Sequence, residues 1–581
     1  MNSKNKAAIR PLAHACALAV AGLIASTQAL AQVDTTQIPG QGREENDPAL
    51  RTPPVQPRVI DPAQLAEPAP CPFAGKGTVT LSGIEVTGST LVPRERLDAS
   101  VADLIGHSAD AQILCTARDR VAAVYARHGE ALARVELPEQ RISDGVLTLR
   151  VTEGRIADVR IENAEALGPA AGLAGDYLGR TRTEGATRWP DVERAFLLAR
   201  EIPGADVRFA LRRADDGSDD GLQAIAAFGP RRRFDLGVSV QNMGSEELGR
   251  TGVSLRADAN SFTRFGERTS LVLYSSHTGA QQVVQLMEEV RLGASGWLLH
   301  GDYAYGRSQP EGALEPLELD GRSRVARLGV RYPLLKSRAA SIDAGMRLEG
   351  IDQQNDLGFL RGPDGDAIPL FDERLRVLAL TLDGRWQSTA IPGLATMAGI
   401  ELRQGLDALG ASEAGEPLLS RSEARPDFTS ARLNLGTRFA FAPQSRVSPY
   451  VQLNGVAQWT RDVLPAYEEF QVGNYTVGRG YDPGAASGDR ALGVQAEFGF
   501  DIAGNARRYG VFAFADAARV WNYDSLGYDA EPWSAGAGAR MRWSSGQLSL
   551  VWASPQSAPL PGAPTPGDRV LLTFNHAFSI R

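Results

Sequence analysis

The clearest polar pair in this 581-residue sequence is an arginine in a predicted loop and an aspartate in a predicted strand. Arg479 lies in Val477–Tyr481, where the glycines beside it favour a loop. Asp516 lies in Val511–Ala518, whose alternation predicts a strand with Phe514 and Asp516 on one face. An arginine fork binds a carboxylate through two parallel hydrogen bonds, so this pair would fix the position of the loop. The alternative is that Arg479 belongs to an ordinary solvated turn.

Signatures of catalysis are missing from the sequence. It contains no Gly-x-Ser-x-Gly elbow, no His-Glu-x-x-His pair and no glycine-rich phosphate loop, and it has only six histidines. We therefore expect a protein that is not an enzyme and that uses no metal or cofactor. The net charge of −8 comes from 61 basic and 69 acidic residues spread along the chain. Without a concentrated basic patch, a nucleic-acid partner is not expected.

The N-terminal 72 residues predict export followed by a linker. Basic residues precede an apolar stretch, and Ala29-Leu30-Ala31 has the small-x-small pattern of a signal-peptidase site, so residues 1–31 are predicted to be a signal peptide. Residues 32–72 contain nine prolines, which favour an extended linker. No later stretch has the run of about 18 apolar residues that a spanning helix needs.

Two cysteines, Cys71 and Cys115, lie outside the predicted signal peptide. They are an even pair in a chain that is expected to be exported. We expect a disulfide between them because exported proteins meet an oxidising compartment. The alternative is two buried thiols. Neither a Cys-x-x-Cys pair nor nearby histidines point to a metal site.

Residues 73–154 and 155–230 each predict a small α+β domain. In both, two helices lie between a first strand and a closing pair of strands, and one helix of the first domain has the apolar stripe of a helix packed on a sheet. The predicted elements of the first domain are strand Val79–Val86, helices Arg94–Ile105 and Ala111–Arg127, and strands Ala133–Leu137 and Val146–Val151. Those of the second are strand Ile156–Ile161, helices Ala170–Leu178 and Asp191–Arg200, and strands Val207–Leu211 and Leu222–Phe228. Gly154 and Arg155 leave almost no linker between the domains, which predicts a stiff pair.

From residue 231 to 581, apolar and polar residues alternate with a period of two, as in Leu378–Trp386 and Val494–Asp501. A soluble β-sandwich also alternates. However, about 350 residues at roughly 10 residues per strand fit about 14 to 18 strands in one closed barrel. We therefore predict a transmembrane β-barrel of about 16 antiparallel strands, with lipid outside. Charged residues such as Glu497 and Asp516 would then face a wet lumen.

Over nearly its whole predicted mature length, the sequence resembles the two-partner secretion transporters (TpsB), the ShlB/FhaC/HecB haemolysin secretion/activation family. The residues that resemble the family's first POTRA domain are Leu137, Pro138, Gln140, Gly145, Glu153 and Gly154. Cys71 and Cys115 lie where many members carry cysteines. Residues 242–250 resemble the turn of the hairpin that opens the family's barrel.

A second resemblance concerns the predicted loop. Val477–Tyr481 is similar to the Val-Arg-Gly-Tyr/Phe tip of the long loop that folds inward between the family's eleventh and twelfth strands, with Gly478 as an extra residue. Phe514-Ala515-Asp516 resembles the family's Phe-x-Asp strand motif, whose carboxylate holds the loop arginine. The resemblance implies a lumenal loop around residues 471–490, anchored by Arg479, Gly480, Tyr481, Phe514 and Asp516.

The resemblance implies an outer-membrane pore of a Gram-negative bacterium whose periplasmic POTRA domains capture an unfolded partner for export. That partner would be an adhesin, a cytolysin or another exported protein. The other implied partners are outer-membrane lipids and the barrel assembly machinery. An alternative is an assembly factor that inserts other barrels, since that group shares the loop motif, but two POTRA domains favour secretion. A nutrient porin or receptor fits less well, because it would lack POTRA domains or begin with a plug domain.

Two features depart from the family pattern. The prolines and glycines that follow the signal peptide leave room for only a short plug segment. The chain ends in Ser579-Ile580-Arg581 rather than in the phenylalanine usual for outer-membrane barrels. We expect Phe578 to serve as the assembly signal instead.

Overall fold

The computed structural model describes residues 71–142, 144–525 and 527–580. The predicted signal peptide and nearly all of the proline-rich segment 32–72, including any plug segment, lie outside the described residues. Within the described ranges, no helix combines the length and the apolar character needed to cross a bilayer.

The first α+β unit packs two helices against a small sheet. Its elements are β1 (Thr78–Thr80), β2 (Gly83–Thr87), α1 (Arg94–Val101), β3 (Ser108–Asp110), α2 (Ile113–Arg127), β4 (Arg134–Glu136) and β5 (Val146–Thr152). Strand β5 lies between β2, which runs parallel to it, and β4, which runs antiparallel. A core that includes Leu97, Val121 and Leu149 lies between the helices and the sheet.

The single strand predicted over Val79–Val86 is wrong, because two strands occupy this stretch. β1 pairs with β3, whereas β2 pairs with β5. The break falls at Ser82, whose N–H donates to the carbonyl of Gly145 at 2.8 Å. Gly145 adopts a φ of +75°, which favours glycine. Alternation shows that a segment is extended, but it does not show where the chain leaves one sheet for another.

A disulfide joins Cys71 to Cys115, so the alternative of two buried thiols is not realised. The Cα atoms lie 5.8 Å apart, and the residues are separated by 44 positions in the sequence. In the chain-entropy model, a cross-link over a loop of this length stabilises the folded state by about 4 kcal/mol. The bond ties the segment ahead of β1 to helix α2.

The second α+β unit repeats the arrangement of the first. Its elements are β6 (Arg155–Glu162), α3 (Ala164–Leu167), α4 (Ala171–Gly179), α5 (Trp189–Arg200), β7 (Val207–Arg213) and β8 (Gly221–Phe228). Strand β8 lies between β6 and β7. The core includes Tyr177, Phe196 and Phe209, and burial raises the pKa of Tyr177 to about 12. The one-turn helix α3 was not predicted, because a single turn carries no periodic signal.

The two units share a packed junction. Leu132 of the first unit belongs to the core of the second, and Glu130 accepts a hydrogen bond from the backbone N–H of Trp189 at 3.0 Å. At Gly154, a Cβ atom would lie 2.9 Å from the Leu132 Cβ and 2.9 Å from the Leu222 Cδ1. Only a residue without a side chain fits this close approach. The two units are therefore in direct contact, and the stiffness of the pair stays a prediction.

The remaining chain forms a closed barrel of sixteen antiparallel strands, as predicted. They are β9 (Phe234–Gln241), β10 (Gly252–Asn260), β11 (Arg268–Ser276), β12 (Gln281–Leu292), β13 (Trp297–Ser308), β14 (Leu319–Lys336), β15 (Ala340–Arg361), β16 (Ala367–Gln387), β17 (Leu394–Gly405), β18 (Thr429–Ala440), β19 (Val447–Thr460), β22 (Arg490–Ala503), β23 (Arg507–Trp521), β24 (Trp533–Trp543), β25 (Gly546–Pro555) and β26 (Arg569–Ile580). Strand β26 pairs with β9 and closes the barrel. Strands β20 (Phe470–Val472) and β21 (Ala486–Gly488) form a separate hairpin.

The barrel has an apolar outside and a charged inside. Val494 and Phe498 are 47% and 50% exposed, whereas Glu497 between them is 6% exposed. On β23, Val511 is 47% exposed and Asp516 only 1%. A soluble protein would show the opposite distribution, so this surface requires lipid. The soluble β-sandwich is therefore excluded.

Three strands are much longer than the rest, with 18 residues in β14, 22 in β15 and 21 in β16. Along the outward face of β15, the exposed apolar side chains of Met346 and Leu348 give way to the polar side chains of Asp352 and Gln354. The apolar band therefore ends near Leu348, because charged outward side chains are unfavourable within hydrocarbon. The upper parts of these strands extend beyond the membrane.

The second α+β unit contacts one rim of the barrel, here called the near rim; the opposite rim is the far rim. Arg194 donates to the carbonyls of Pro333 and Ser295 at 2.7 and 3.1 Å. Glu193 forms an ion pair with Arg338 at 3.0 Å. These contacts hold helix α5 against the turn that precedes β13, the end of β14 and the turn between β14 and β15.

We predict that Gly154→Ala loosens the junction between the two units. The added methyl group would overlap Leu132 and Leu222, and overpacking of this kind costs about 1–3 kcal/mol. Hydrogen exchange of the purified full chain should therefore become faster around residues 130–134 and 154–156. Gly172→Ala is the matched control: no atom lies within 4 Å of its Cβ position, and alanine favours the helix. Equal exchange in both variants would contradict the prediction.

Candidate functional site

The connection between β19 and β22, residues 461–489, folds back into the barrel and is here called the lumenal loop. Strands β20 and β21 pair within it, and residues 473–485 form its tip. At the tip, Arg479 is 3% exposed and Tyr481 is fully buried. The loop lies between the eleventh and twelfth barrel strands, where the resemblance places it.

Arg479 is bound to the barrel wall on two sides. Its Nε and Nη2 donate to the two carboxylate oxygens of Asp516 at 2.9 and 2.7 Å, and its backbone N–H donates to Asp516 at 3.0 Å. Its Nη1 donates to Glu497 at 3.0 Å. The guanidinium carbon lies 3.6 Å from the centre of the Phe514 ring. Bidentate pairing with ring stacking is specific to arginine, because lysine offers neither.

One of the carboxylates that bind Arg479 also binds a second arginine, Arg540, which sequence reasoning missed. Arg540 on β24 donates to Glu497 at 2.8 Å, and the Tyr450 hydroxyl donates to the same carboxylate at 2.7 Å. Arg479 of the loop and Arg540 of β24 thus balance the carboxylates of Glu497 on β22 and Asp516 on β23 in one buried cluster. Removing one partner from such a pair leaves an uncompensated buried charge, at a cost of about 3–5 kcal/mol.

Gly480 and Tyr481 fit the tip tightly against the barrel wall. The N–H of Gly480 donates to the Ser534 hydroxyl at 3.2 Å, and a Cβ at this position would lie 2.9 Å from the Pro555 nitrogen. The Tyr481 hydroxyl lies 2.7 Å from the Trp533 carbonyl. The extra Gly478 has a φ of +110° and accepts a hydrogen bond from the Tyr481 N–H, so it forms the turn of the tip.

The stem of the loop has its own anchor. Glu468 is fully buried and receives two hydrogen bonds from Arg403, at 2.8 and 2.7 Å, and one from Arg432 at 2.9 Å. Arg403 also donates twice to Glu349 on β15, at 3.0 Å each. Sequence reasoning missed this cluster, because many lumen-facing positions carry charges and none of them indicates its partner.

A cavity of about 480 Å³ remains beside the loop tip. It is lined by charges of both signs, among them Arg331, Arg347, Asp383 and Glu401, and on the loop side by Tyr475. The lumen is therefore polar and only partly filled by the loop.

Three residues of the predicted POTRA motif hold their own chain segment in place. The side-chain amide of Gln140 donates to the Thr148 carbonyl and accepts from the Thr148 N–H, both at 2.8 Å, so it pairs with β5 as a strand would. Leu137 packs against the core, and the carbonyl of Pro138 accepts a weaker bond from Gln140 at 3.3 Å. The Gln140 side chain thus extends the sheet beyond β4 without a further strand.

Glu153, another residue of that motif, is buried under the loop between β2 and α1. It accepts hydrogen bonds from the backbone N–H groups of Thr90 and Leu91 at 2.9 and 2.8 Å, and from the Tyr125 hydroxyl at 2.8 Å. Burial raises the pKa of Tyr125, so its hydroxyl remains protonated and donates to Glu153. Gly154 completes the motif at the junction of the units. The residues of the motif thus stabilise the fold of the first unit and its junction with the second.

Comparison with known proteins gives two family matches. The model described as haemolysin secretion/activation protein ShlB/FhaC/HecB matches residues 226–541, which is more than half of the chain. The model of the ShlB-type POTRA domain matches residues 79–154.

Similar curated proteins are transporters. The chain is 20% identical to the heme/hemopexin transporter protein HuxB of Haemophilus influenzae over 425 residues, covering 70% of this chain and 69% of that protein. For HuxB of strain 86-028NP the match is 21% and spans 32% of each protein. The outer membrane transporter CdiB of Escherichia coli O6:K15:H31 is 34% identical over 103 residues, covering 17% of this chain and 18% of CdiB.

Solved structures show the same fold. CdiB from Escherichia coli superimposes with a TM-score of 0.72 at 17% identity, covering 96% of this chain and 99% of that one. CdiB from Acinetobacter baumannii gives a TM-score of 0.61 at 15% identity, with 94% of each chain covered. Members of the matched family carry out two-partner secretion, in which an outer-membrane transporter acts with a secreted partner protein. The chain therefore belongs to the ShlB/FhaC/HecB haemolysin secretion/activation family of outer-membrane two-partner secretion transporters.

Proposed function

We propose that this protein captures an unfolded partner in the periplasm through its two α+β units and exports it through the barrel, with the lumenal loop as the gate. The observation that carries this proposal is the buried cluster of Arg479, Asp516 and Glu497. Its ionic and hydrogen-bonding contacts anchor the tip of the loop to the barrel wall, beside the ring of Phe514. Such contacts can be exchanged, so the loop can be displaced for a polypeptide and then return.

Sheet edges of the α+β units support the capture step. In the described sheets β2 lies at one edge of the first unit, and β6 and β7 lie at the edges of the second. An edge strand presents backbone N–H and C=O groups to which an extended chain can add as a further strand. Strand addition suits a partner that has not folded, because it recognises the extended backbone of the partner and needs no folded surface.

The direction of transport is proposed to come from the partner itself. The sequence contains no nucleotide-binding motif, so folding of the partner outside the cell supplies the driving force. The partner is an adhesin, a cytolysin or another exported protein.

Two further partners are proposed for the barrel. Lipids of the outer membrane cover its apolar band. The barrel assembly machinery recognises its last strand, where Phe578 is 52% exposed on the outward face. The protein is proposed to have no enzymatic activity of its own.

We predict that Arg479→Ala and Asp516→Ala reduce export while the barrel still inserts. Each change leaves a buried charge without its partner, so the loop loses its position. Arg479→Lys should have an intermediate effect, because it keeps the charge but loses the bidentate geometry. The measurement is the amount of partner in the medium relative to the amount of inserted barrel.

Arg425→Ala is the matched control for these variants. Arg425 pairs with Asp427 on an exposed connection, with side chains 54% and 42% exposed, so its loss should leave export unchanged. An unchanged amount of partner in the medium of the Arg479→Ala strain would contradict the proposal that the lumenal loop is the gate.

Depletion of the protein separates secretion from the alternative of barrel assembly. We expect one or a few secreted proteins to disappear from the medium, whereas the outer-membrane barrels keep their levels. Quantitative mass spectrometry of both fractions measures this and identifies the partner. A general loss of outer-membrane barrels would instead support an assembly factor.

A further inference from the structure

The seam between the first and last barrel strands is held partly by side chains. Strands β9 and β26 form eight residue pairs, from Phe234–Ile580 at the near rim to Gln241–Thr573. Beyond that point, towards the far rim, the Asn242 side chain continues the pairing. Its amide donates to the Val570 carbonyl at 2.8 Å and accepts from the Leu572 N–H at 2.6 Å.

The lumenal loop reaches the same end of the seam through Asp482, the residue after Tyr481. One carboxylate oxygen of Asp482 accepts a hydrogen bond from Arg250 at 2.9 Å, and the same oxygen lies 2.6 Å from Nη1 of Arg569. Arg250 lies in the connection that follows β9, and Arg569 begins β26. A single loop carboxylate therefore contacts both sides of the seam.

The two arginines differ in how much they depend on Asp482. Arg250 is 42% exposed and also pairs with Glu246 at 2.8 Å. The Arg569 side chain is only 10% exposed; its Nη1 lies against the Asp482 carboxylate, and its Nη2 donates a long hydrogen bond to the Gly244 carbonyl at 3.4 Å. Without the carboxylate, two guanidinium groups would face each other across the seam with weaker compensation.

A second contact joins the loop to the first strand's connection. The Asn474 side chain donates to the carbonyl of Met243 at 2.9 Å, and its backbone N–H donates to the Tyr481 carbonyl. Asn474 and Met243 are both 1% exposed. This buried bond brings the tip of the loop, and with it Asp482, close to the seam.

We infer that Asp482 is a positioning residue through which the lumenal loop closes the far end of the β9–β26 seam. With the loop in the lumen, its carboxylate offsets the repulsion between Arg250 and Arg569. With the loop displaced, that repulsion acts on the seam. The contact is independent of export, whereas displacement of the loop during transport rests on the proposed function.

The test uses the purified full chain in detergent and measures the midpoint temperature at which the barrel loses its folded mobility on a gel. Asp482→Asn keeps the shape of the side chain and removes its charge, so the midpoint should fall by several degrees. Asp482→Glu should retain most of the stability. The double variant Asp482→Asn with Arg569→Gln should be more stable than Asp482→Asn alone, because it also removes the repulsion.

A cross-link locates the effect at the seam. Ser239 and Asn575 face each other across β9 and β26, so Ser239→Cys with Asn575→Cys allows a disulfide there. We expect the oxidised cross-link to restore the midpoint temperature of Asp482→Asn, whereas Asp482→Asn with Ser239→Cys alone, which cannot form the cross-link, should keep the low midpoint. The defect of Arg479→Ala lies at β22–β24, away from the seam. In this variant the cross-link should therefore restore less of the lost midpoint temperature.

An unchanged midpoint in Asp482→Asn would overturn the inference. So would a double variant no more stable than Asp482→Asn, or a cross-link that restores Arg479→Ala equally well. No partner protein is needed for these measurements, so their outcome does not depend on whether the proposed export is correct.

Discussion

Each strand of this barrel has lipid on one side and water on the other, and the rest of the structure depends on that constraint. Hydrocarbon offers no hydrogen bonds, so the backbone groups must be satisfied by closing the sheet on itself. Charged side chains are then confined to the lumen, because the lipid face excludes them. The inward face becomes rich in arginines and carboxylates that need partners, and a loop that carries the matching charges can be bound there.

The lumenal loop uses this charged interior at both its tip and its stem. Arg479 inserts between Asp516 and Glu497, while Glu468 receives Arg403 and Arg432. The loop contributes a positive charge at one point and a negative charge at the other, and the wall is complementary at each. Such opposed pairs fix the orientation of the loop as well as its position, because a reversed loop would bring like charges together.

Local pattern predicted much of the fold and part of the site. Apolar and polar residues alternate along residues 231–581, and the length of this region predicts a barrel of about sixteen strands. The same alternation predicts that the Asp516 side chain faces the lumen. Arg479 stood out because glycines surround it. Glu468 and Arg403 could not be paired in this way, since they are 65 positions apart and each resembles other lumen-facing charges. The division between β1 and β2 was also missed, because it depends on a contact with Gly145, which lies far along the chain.

The unequal strand lengths give the pore an asymmetric mouth. At about 3.4 Å per residue and a tilt near 40°, β15 rises to roughly 55 Å, whereas β9 rises to only about 20 Å. The wall formed by β14, β15 and β16 therefore extends furthest beyond the membrane. The wall is lowest at the seam between β9 and β26. A polypeptide that leaves the lumen at the far rim therefore passes a tall protein wall at β14–β16 and a much lower one at the seam.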